Sequence, residues 1–337
     1  VAIAAETHLT CLTYSFNDNY EVNCARKSAE VLGNKFVFLK FPKFHLSKSI
    51  SLSNSICNGM YVIDNALFTL PPDYQELKLD VMLNGHGFDY MFQGMYLPSE
   101  NFRLFGRPTF FKKLLGYDKN ISMQFMKTIS FRLKYFDLFD FLHEKFKKYF
   151  FDFIFQSCEE IRKACSSYSK KNSDVWEYFI IHSIGRHYSW PNLGSQNLGI
   201  ELRTPTFDND LFNFYMKLNP NHRLSARIFR KALIKMNKKC SMIESGNYGM
   251  ALAGSPLYKT SHLIYRKVLR HLTNNQNFRT THAEDRTWPD RDRYLSYDQD
   301  FFSLVENAIN SDLVFEYLPY FDWKKIKKYF EIYKKRP

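Results

Sequence analysis

Over its first hundred residues the chain switches repeatedly between short runs of β-formers and stretches whose apolar residues fall on one helical face. LTCLTYS (9–15) and FVFLKF (36–41) predict strands. Between them, EVNCARKSAEVLG (21–33) puts Val22, Ala25, Ala29 and Leu32 on one side of a helix. Asn17, Asp18 and Asn19 offer turn and N-cap chemistry before it, and Gly33 is placed to stop it. A second helical stretch covers roughly 46–58. ELKLDVMLNG (76–85) brings a third strand, whose VML run reads as buried. Strand, helix, strand, helix, strand predicts a parallel sheet wrapped by helices, with ligands bound beyond the carboxyl ends of the strands.

From about residue 101 the pattern turns helical. Periodic apolar positions fall near 121–136, 142–166, 174–190, 208–218 and 227–237. NYGMALAGSPLYK (247–259) reads as a glycine-rich loop, and the polar stretch 274–296 as an exposed excursion. Helices are expected again over 298–310 and 322–335, the last strongly basic. The expected fold class is therefore α/β: a Rossmann-like parallel sheet flanked by helices over about 1–100, then a mostly helical part over about 101–337.

With 337 residues, 45% hydrophobic and 18% aromatic, the chain can bury a substantial core. Lys+Arg outnumber Asp+Glu by 47 to 34, a formal net charge of +13. Such a balance attracts nucleotides, nucleic acid or acidic surfaces, and a Lys-rich surface with no anionic partner has the same composition. The six cysteines include no CxxC pair, which argues against a zinc site or disulfide framework and for a reducing, cytoplasmic setting. YFFDFIFQ (149–156) is too short to span a bilayer and carries Asp152, so no membrane role is expected. Its helical periodicity predicts a core-facing helix rather than one lying on a membrane surface.

The chemistry concentrates in VMLNGHGFDYMFQGMY (81–96). Two glycines leaving a strand let the backbone approach a ligand closely and turn its N–H groups toward phosphate or carboxylate oxygens. Asp89 can hold a Mg²⁺ ion that bridges to phosphate, and His86 can serve as a general base. A tight turn with no ligand has the same signature. A second constellation is GIELRTPTFDNDLF (199–212). There Glu201 and Arg203 are spaced for an ion pair, Pro205 breaks the chain, and Asp208 stands as an N-cap.

Together, in this order and at this distance, the two stretches resemble the synthetase domain of the glutamine-dependent asparagine synthetases and their relatives. Those relatives include the β-lactam and lasso-peptide cyclising enzymes, all adenine-nucleotide α-hydrolases of the pyrophosphatase-loop type. The family's S-G-E-G-x-D-E-x-F-G-G-Y or G-H-G-G-D-E stretch is matched by Asn84 to Tyr96. Its G-[LIV]-E-x-R-x-P-F-x-D stretch is matched by Gly199 to Asp208, and its I-L-R-E-A helix by RIFRKAL (227–233). The resemblance spans nearly the whole chain.

What it implies is ATP-dependent amide formation through an acyl-adenylate, with release of AMP and pyrophosphate, most simply aspartate to asparagine. ATP and Mg²⁺ are then required. Asp89 matches the metal-binding aspartate. Asn84 and Gly85 match the Ser-Gly pair that contacts the nucleotide, followed by Gly87, and Tyr14 falls where the backbone meets the adenine. His86 matches the position beside the reacting acyl group. The family's pyrophosphate lysine falls at Ala226, with Arg227 beside it to supply the charge. Tyr90 stands where the family has a second acid, and Asn192 to Gln196 replace a D-R-x-S-M run.

The S-G-G-x-D-S loop would lie immediately before Val1 and a glutaminase domain before that. The run VAIAAE reads as mid-helix, and the expectation is a chain that continues upstream. A degenerate relative without ATP chemistry is the other reading. The expected partners are a small-molecule carboxylate and an ammonia source outside this chain. Nucleic acid is not the expected partner, and a homodimer is compatible. Amidation or cyclisation of another carboxylate, or a catalytically inactive binding module, are the alternatives.

Overall fold

In a computed structural model of the protein, the described residues are 9–57, 69–104, 106–129, 138–182, 190–197, 199–246, 249–273, 295 and 298–335. The run VAIAAE and nearly all of the polar stretch 274–296 lie outside them. Along the chain the elements are β1 (Thr10–Ser15), α1 (Tyr20–Val31), β2 (Lys35–Lys40), α2 (His45–Cys57), β3 (Val81–Leu83) and α3 (Phe88–Met91). Next come β4 (Ser99–Leu104), β5 (Arg107–Leu114), α4 (Ile121–Ile129), α5 (Glu144–Ser166), α6 (Asn172–Phe179), α7 (Trp190–Gln196) and β6 (Glu201–Arg203). The remainder is helical: α8 (Asn209–Lys217), α9 (Pro220–Arg223), α10 (Arg227–Met236), α11 (Lys238–Ser241), α12 (Pro256–Thr273), α13 (Gln299–Asn310), α14 (Asp312–Tyr317) and α15 (Trp323–Lys334). None of the described helices is long and apolar enough to cross a membrane.

The chain separates into two compact units that are interleaved in sequence. The first joins Val1–Leu115 to Ser189–Asp298, and the second joins Gly116–Tyr188 to Gln299–Pro337.

The first unit is α/β. Strands β1 and β2 pair in parallel, Thr10 opposite Lys35 through Ser15 opposite Lys40. The helix between them forms as its local signals require. The Asn19 side chain accepts from the Val22 N–H at 3.1 Å, Val22 and Ala29 are buried, and the chain leaves the helix at Gly33 with φ +67°. Strand β3 does not extend this sheet. It pairs in parallel with β6, Val81 opposite Glu201 and Leu83 opposite Arg203. Among the described residues, the expected continuous three-stranded sheet is thus two separate parallel pairs. Nor is β3 a buried strand, since Val81 and Leu83 are 45% and 43% exposed. A three-residue run carries too little periodicity to fix either its partner or its burial.

Two more expectations need correction. Residues 99–114 are not helical but form the antiparallel hairpin β4–β5, turning at Gly106. The mostly exposed residues of β4 give no strong apolar alternation, which is why the strand is hard to read. The loop after residue 247 ends sooner than 259: Ser255 Oγ accepts from the Tyr258 N–H at 3.1 Å, and Pro256 opens α12.

The second unit is helical. Its core gathers Ile121 and Phe125 of α4 with Trp176 and Phe179 of α6, and the Phe125 ring lies 5.3 Å from Trp176 and 4.7 Å from Phe179. Helix α5 buries Cys158 and Cys165 but leaves Tyr149 and Phe153 exposed. Helices α13 and α15 meet through Phe302 and Phe330 at 5.5 Å and the Glu306–Lys334 ion pair at 3.1 Å.

One long-range contact fixes α2 within the first unit. The Ser47 N–H and hydroxyl both donate to Oδ2 of Asp298, at 3.0 and 2.8 Å, so a carboxyl group 251 residues away caps the first turn of the helix. Asp298 is 1% exposed. Replacing it with Ala leaves those donors without their acceptor, and is expected to cost about 1–3 kcal/mol of stability, measured by chemical or thermal denaturation.

Candidate functional site

The turn after β3 is built by its own side chains. The Asn84 N–H continues the β3–β6 ladder by donating to the Arg203 carbonyl at 2.9 Å. Its side chain then folds back, Oδ1 accepting from the His86 N–H at 2.7 Å, in a local turn that asparagine favours. Gly87 follows with φ +97° and opens the short helix α3. A Cβ at that position would press on Thr206 Cγ2 and the Tyr90 hydroxyl, both at 3.2 Å, and the left-handed backbone itself favours glycine.

Two residues outside the seven predicted site residues hold this turn in place. The first is Gln196, at the end of α7 and 5% exposed. Its Oε1 accepts from Asn84 Nδ2 at 2.5 Å, and its Nε2 donates to the Tyr14 hydroxyl at 2.7 Å. Tyr14, near the end of β1, and Asn84, just past β3, are thereby joined. The second is Thr206, fully buried, whose hydroxyl donates to the His86 carbonyl at 2.6 Å. Thr206 lies inside the GIELRTPTFD stretch, so its place beside the glycine turn was available as a signal. Gln196 closes the stretch that replaces the D-R-x-S-M run, and a buried amide in a short helix has no periodic signature that would give it this role.

The protonation states follow from burial. Desolvation pushes the Tyr14 phenol up to about 12, against the smaller opposing effect of the Gln196 hydrogen bond, so it stays neutral. Burial lowers His86 below its ordinary 6.5, and the nearby Asp89 carboxylate opposes the shift only in part. His86 is thus a neutral imidazole at pH 7, able to accept a proton. Asp89 stands half-buried in the first turn of α3, with Oδ1 accepting from the Tyr90 N–H at 3.0 Å.

Of the seven residues predicted from sequence, Tyr14, Asn84, Gly85, His86, Gly87 and Asp89 are gathered by this network and turn. Arg227 is exposed in the first turn of α10, where its charge acts on Arg230. Helix α10 does abut the site segment, through Phe229 and Phe88 at 6.4 Å and the Ala226 N–H to the Gln93 carbonyl at 3.3 Å. Elsewhere the structural roles are as the residues suggest. Glu201 and Arg203 form an exposed ion pair, and Asp208 caps α8 by accepting from the Asp210 and Leu211 N–H groups at 3.0 and 3.2 Å.

The residues present suit a phosphate-bearing ligand with a magnesium ion. Among the described residues, the Gly85 and Gly87 N–H groups donate to no acceptor of the chain. No group of three His, Cys, Asp or Glu side chains among the described residues could hold a metal ion by itself. A single carboxylate such as Asp89 suits Mg²⁺, which takes most of its shell from phosphate oxygens and water.

Tyr14→Phe removes the acceptor of Gln196 Nε2 and should destabilise the fold by about 1–3 kcal/mol. A double-mutant cycle of Tyr14→Phe with Gln196→Leu should give a coupling of about 0.5–3 kcal/mol. Because His86 binds its proton more weakly folded than unfolded, its contribution to stability is lost as pH falls from about 6.5 toward the lowered folded value. His86→Asn should flatten that part of the stability–pH profile, and the His86 ring should titrate below 6.5 by NMR.

Comparison with protein-family models and with curated proteins finds no match to this sequence.

Proposed function

We propose that the chain carries the synthetase half of an ATP-dependent amide-forming enzyme, acting through an acyl-adenylate, most simply on aspartate to give asparagine. The observation that carries this reading is the meeting of the two stretches on which the resemblance rests. Although far apart in sequence, they pair in parallel as β3 and β6, and Thr206 of one donates to the His86 carbonyl of the other. The reading also supplies a use for the Gly85 and Gly87 N–H groups as donors to phosphate oxygens at the carboxyl end of a strand.

In this scheme ATP is a substrate. A carboxylate oxygen attacks the α-phosphorus, and the bond to the β-phosphate oxygen breaks as pyrophosphate departs. The amine nitrogen then attacks the acyl carbon, and AMP leaves with the former carboxylate oxygen. Asp89 would hold Mg²⁺, which neutralises charge on the departing pyrophosphate. Arg227 stands beside the position of the family's pyrophosphate lysine. His86, neutral at pH 7, can take the proton released by the attacking amine.

In the full-length protein, ATP–pyrophosphate exchange in the presence of aspartate should fall by about a hundredfold or more in Asp89→Ala, with circular dichroism and melting temperature unchanged. Undiminished exchange in that variant removes the role given to Asp89. Absence of aspartate-dependent exchange in the wild type removes the proposed reaction on aspartate.

A further inference from the structure

The hydrogen bonds around Gln196 run in one direction only. A backbone N–H can only donate, so the Asn84 atom facing the His86 N–H at 2.7 Å is the carbonyl oxygen Oδ1. The other end of that amide is then Nδ2, a donor, and Gln196 meets it with Oε1 at 2.5 Å. Gln196 is left to present Nε2, a second donor, to the Tyr14 hydroxyl at 2.7 Å. Each assignment forces the next, and the last makes the phenol oxygen an acceptor. The one proton that this oxygen carries is therefore not spent within the network. Gln196 and Asn84 both stand where the resemblance sets other residue types, methionine and serine, so the relay is this chain's own.

Nor is the proton spent elsewhere. Among the described residues Tyr14 has no second hydrogen-bond partner. Asn192, the other primary amide of α7, does not take the proton, since both ends of its own amide are buried and unmatched. Desolvation holds the phenol pKa up to about 12, so the proton stays on throughout the neutral range. The ring is fixed as well, lying edge-on to Phe41 at 5.4 Å. A desolvated O–H with no acceptor is costly to leave in a folded protein. Here it stands near the carboxyl end of β1, where parallel strands present their ligands, and it is tied through one glutamine to the glycine turn.

We propose that Tyr14 is a specificity-determining residue of this site: with its oxygen occupied by Gln196, its phenol donates to a ligand atom that carries a lone pair and no proton, a carboxylate oxygen or an unprotonated ring nitrogen. Gln196 is the positioning residue that sets this polarity. A ligand offering an N–H or O–H at the same place meets a second donor and is refused. The role rests on the amide-forming reading for the identity of the two ligands that could supply the acceptor, ATP and aspartate.

The test uses the full-length protein and two readings: the Kd of Mg²⁺–ATP by titration calorimetry, and the KM of aspartate in ATP–pyrophosphate exchange. Tyr14→Phe should weaken one of the two by about tenfold or more. A loss confined to ATP places the acceptor on the nucleotide, and one confined to aspartate places it on the carboxylate substrate; the role stands in both. An equal loss in both overturns it, because that reports a displaced site rather than one missing bond. Unchanged values overturn it too. The second variant is Gln196→Glu at about pH 8, well above the ordinary range of a glutamic acid. Its ionised carboxylate accepts from both Asn84 and Tyr14, which keeps the scaffold and consumes the phenol proton. It should weaken the same ligand as Tyr14→Phe does, and combining the two changes should add no further loss. Wild-type affinity in Gln196→Glu, or losses that simply add in the double variant, overturns the role. If Tyr14→Phe fails to fold, Gln196→Glu decides. A wild type that binds neither ligand removes the amide-forming reading and this role together, whereas one that binds them while both variants do so equally well removes this role alone.

Discussion

A primary amide that is almost wholly buried has to find partners for both of its ends, and Gln196 finds them in Tyr14 and Asn84. That constraint propagates. With Nε2 directed at the phenol and Oε1 at Asn84 Nδ2, the Asn84 amide is oriented too, and its own Oδ1 is left facing the His86 N–H. The turn is closed by that bond, and the chain then passes through a left-handed conformation at Gly87. Each hydrogen bond in such a chain adds only about 1 kcal/mol when made, yet an end left unmatched in the interior costs about 1–3 kcal/mol. The asymmetry makes the network a positioning device. It ties the end of β1 to the end of β3, which share no strand pairing among the described residues.

The parts of the fold legible in sequence are those whose causes are local. Helix α1 is written in Asn19, Val22, Ala29 and Gly33, all within fifteen positions, and each does in the structure what its type and spacing imply. The cap at Asp208 and the ion pair of Glu201 with Arg203 are equally local. Strand partners are not. VML and ELR are three residues each and largely exposed, so nothing in either states that it will pair with the other rather than extend β1–β2. The hairpin over 99–114 has the same weakness, and the Asp298 cap on α2 spans 251 residues.

The candidate site divides along the same line. The glycine turn, His86 and Asp89 were visible because glycine, histidine and aspartate are rare neighbours at a strand end. Gln196 is legible only as the end of the run that replaces D-R-x-S-M, because its role exists only once three distant segments have folded together. Arg227 was placed by its position in a motif, and the structure sets it at the exposed start of α10, beside Arg230, where its charge is confronted by another of the same sign.

Net charge, by contrast, says little until it is located. An excess of +13 spread over solvated lysines costs almost nothing, and exposed pairs such as Lys148 with Asp152 add almost nothing in return. Half-buried cations such as Arg230 and Lys259 are a different matter, because water screens them less and burial makes each more expensive to keep charged. Helix α10 is also held against the segment that carries Asp89, by the Phe88–Phe229 packing and the Ala226 N–H bond to Gln93. Positive charge and the lone carboxylate therefore sit on two segments locked to one another by apolar and backbone contacts, without pairing directly. A carboxylate and a guanidinium held apart in this way each keep their capacity to bind, one for a cation and the other for an anion, which a direct salt bridge would have consumed.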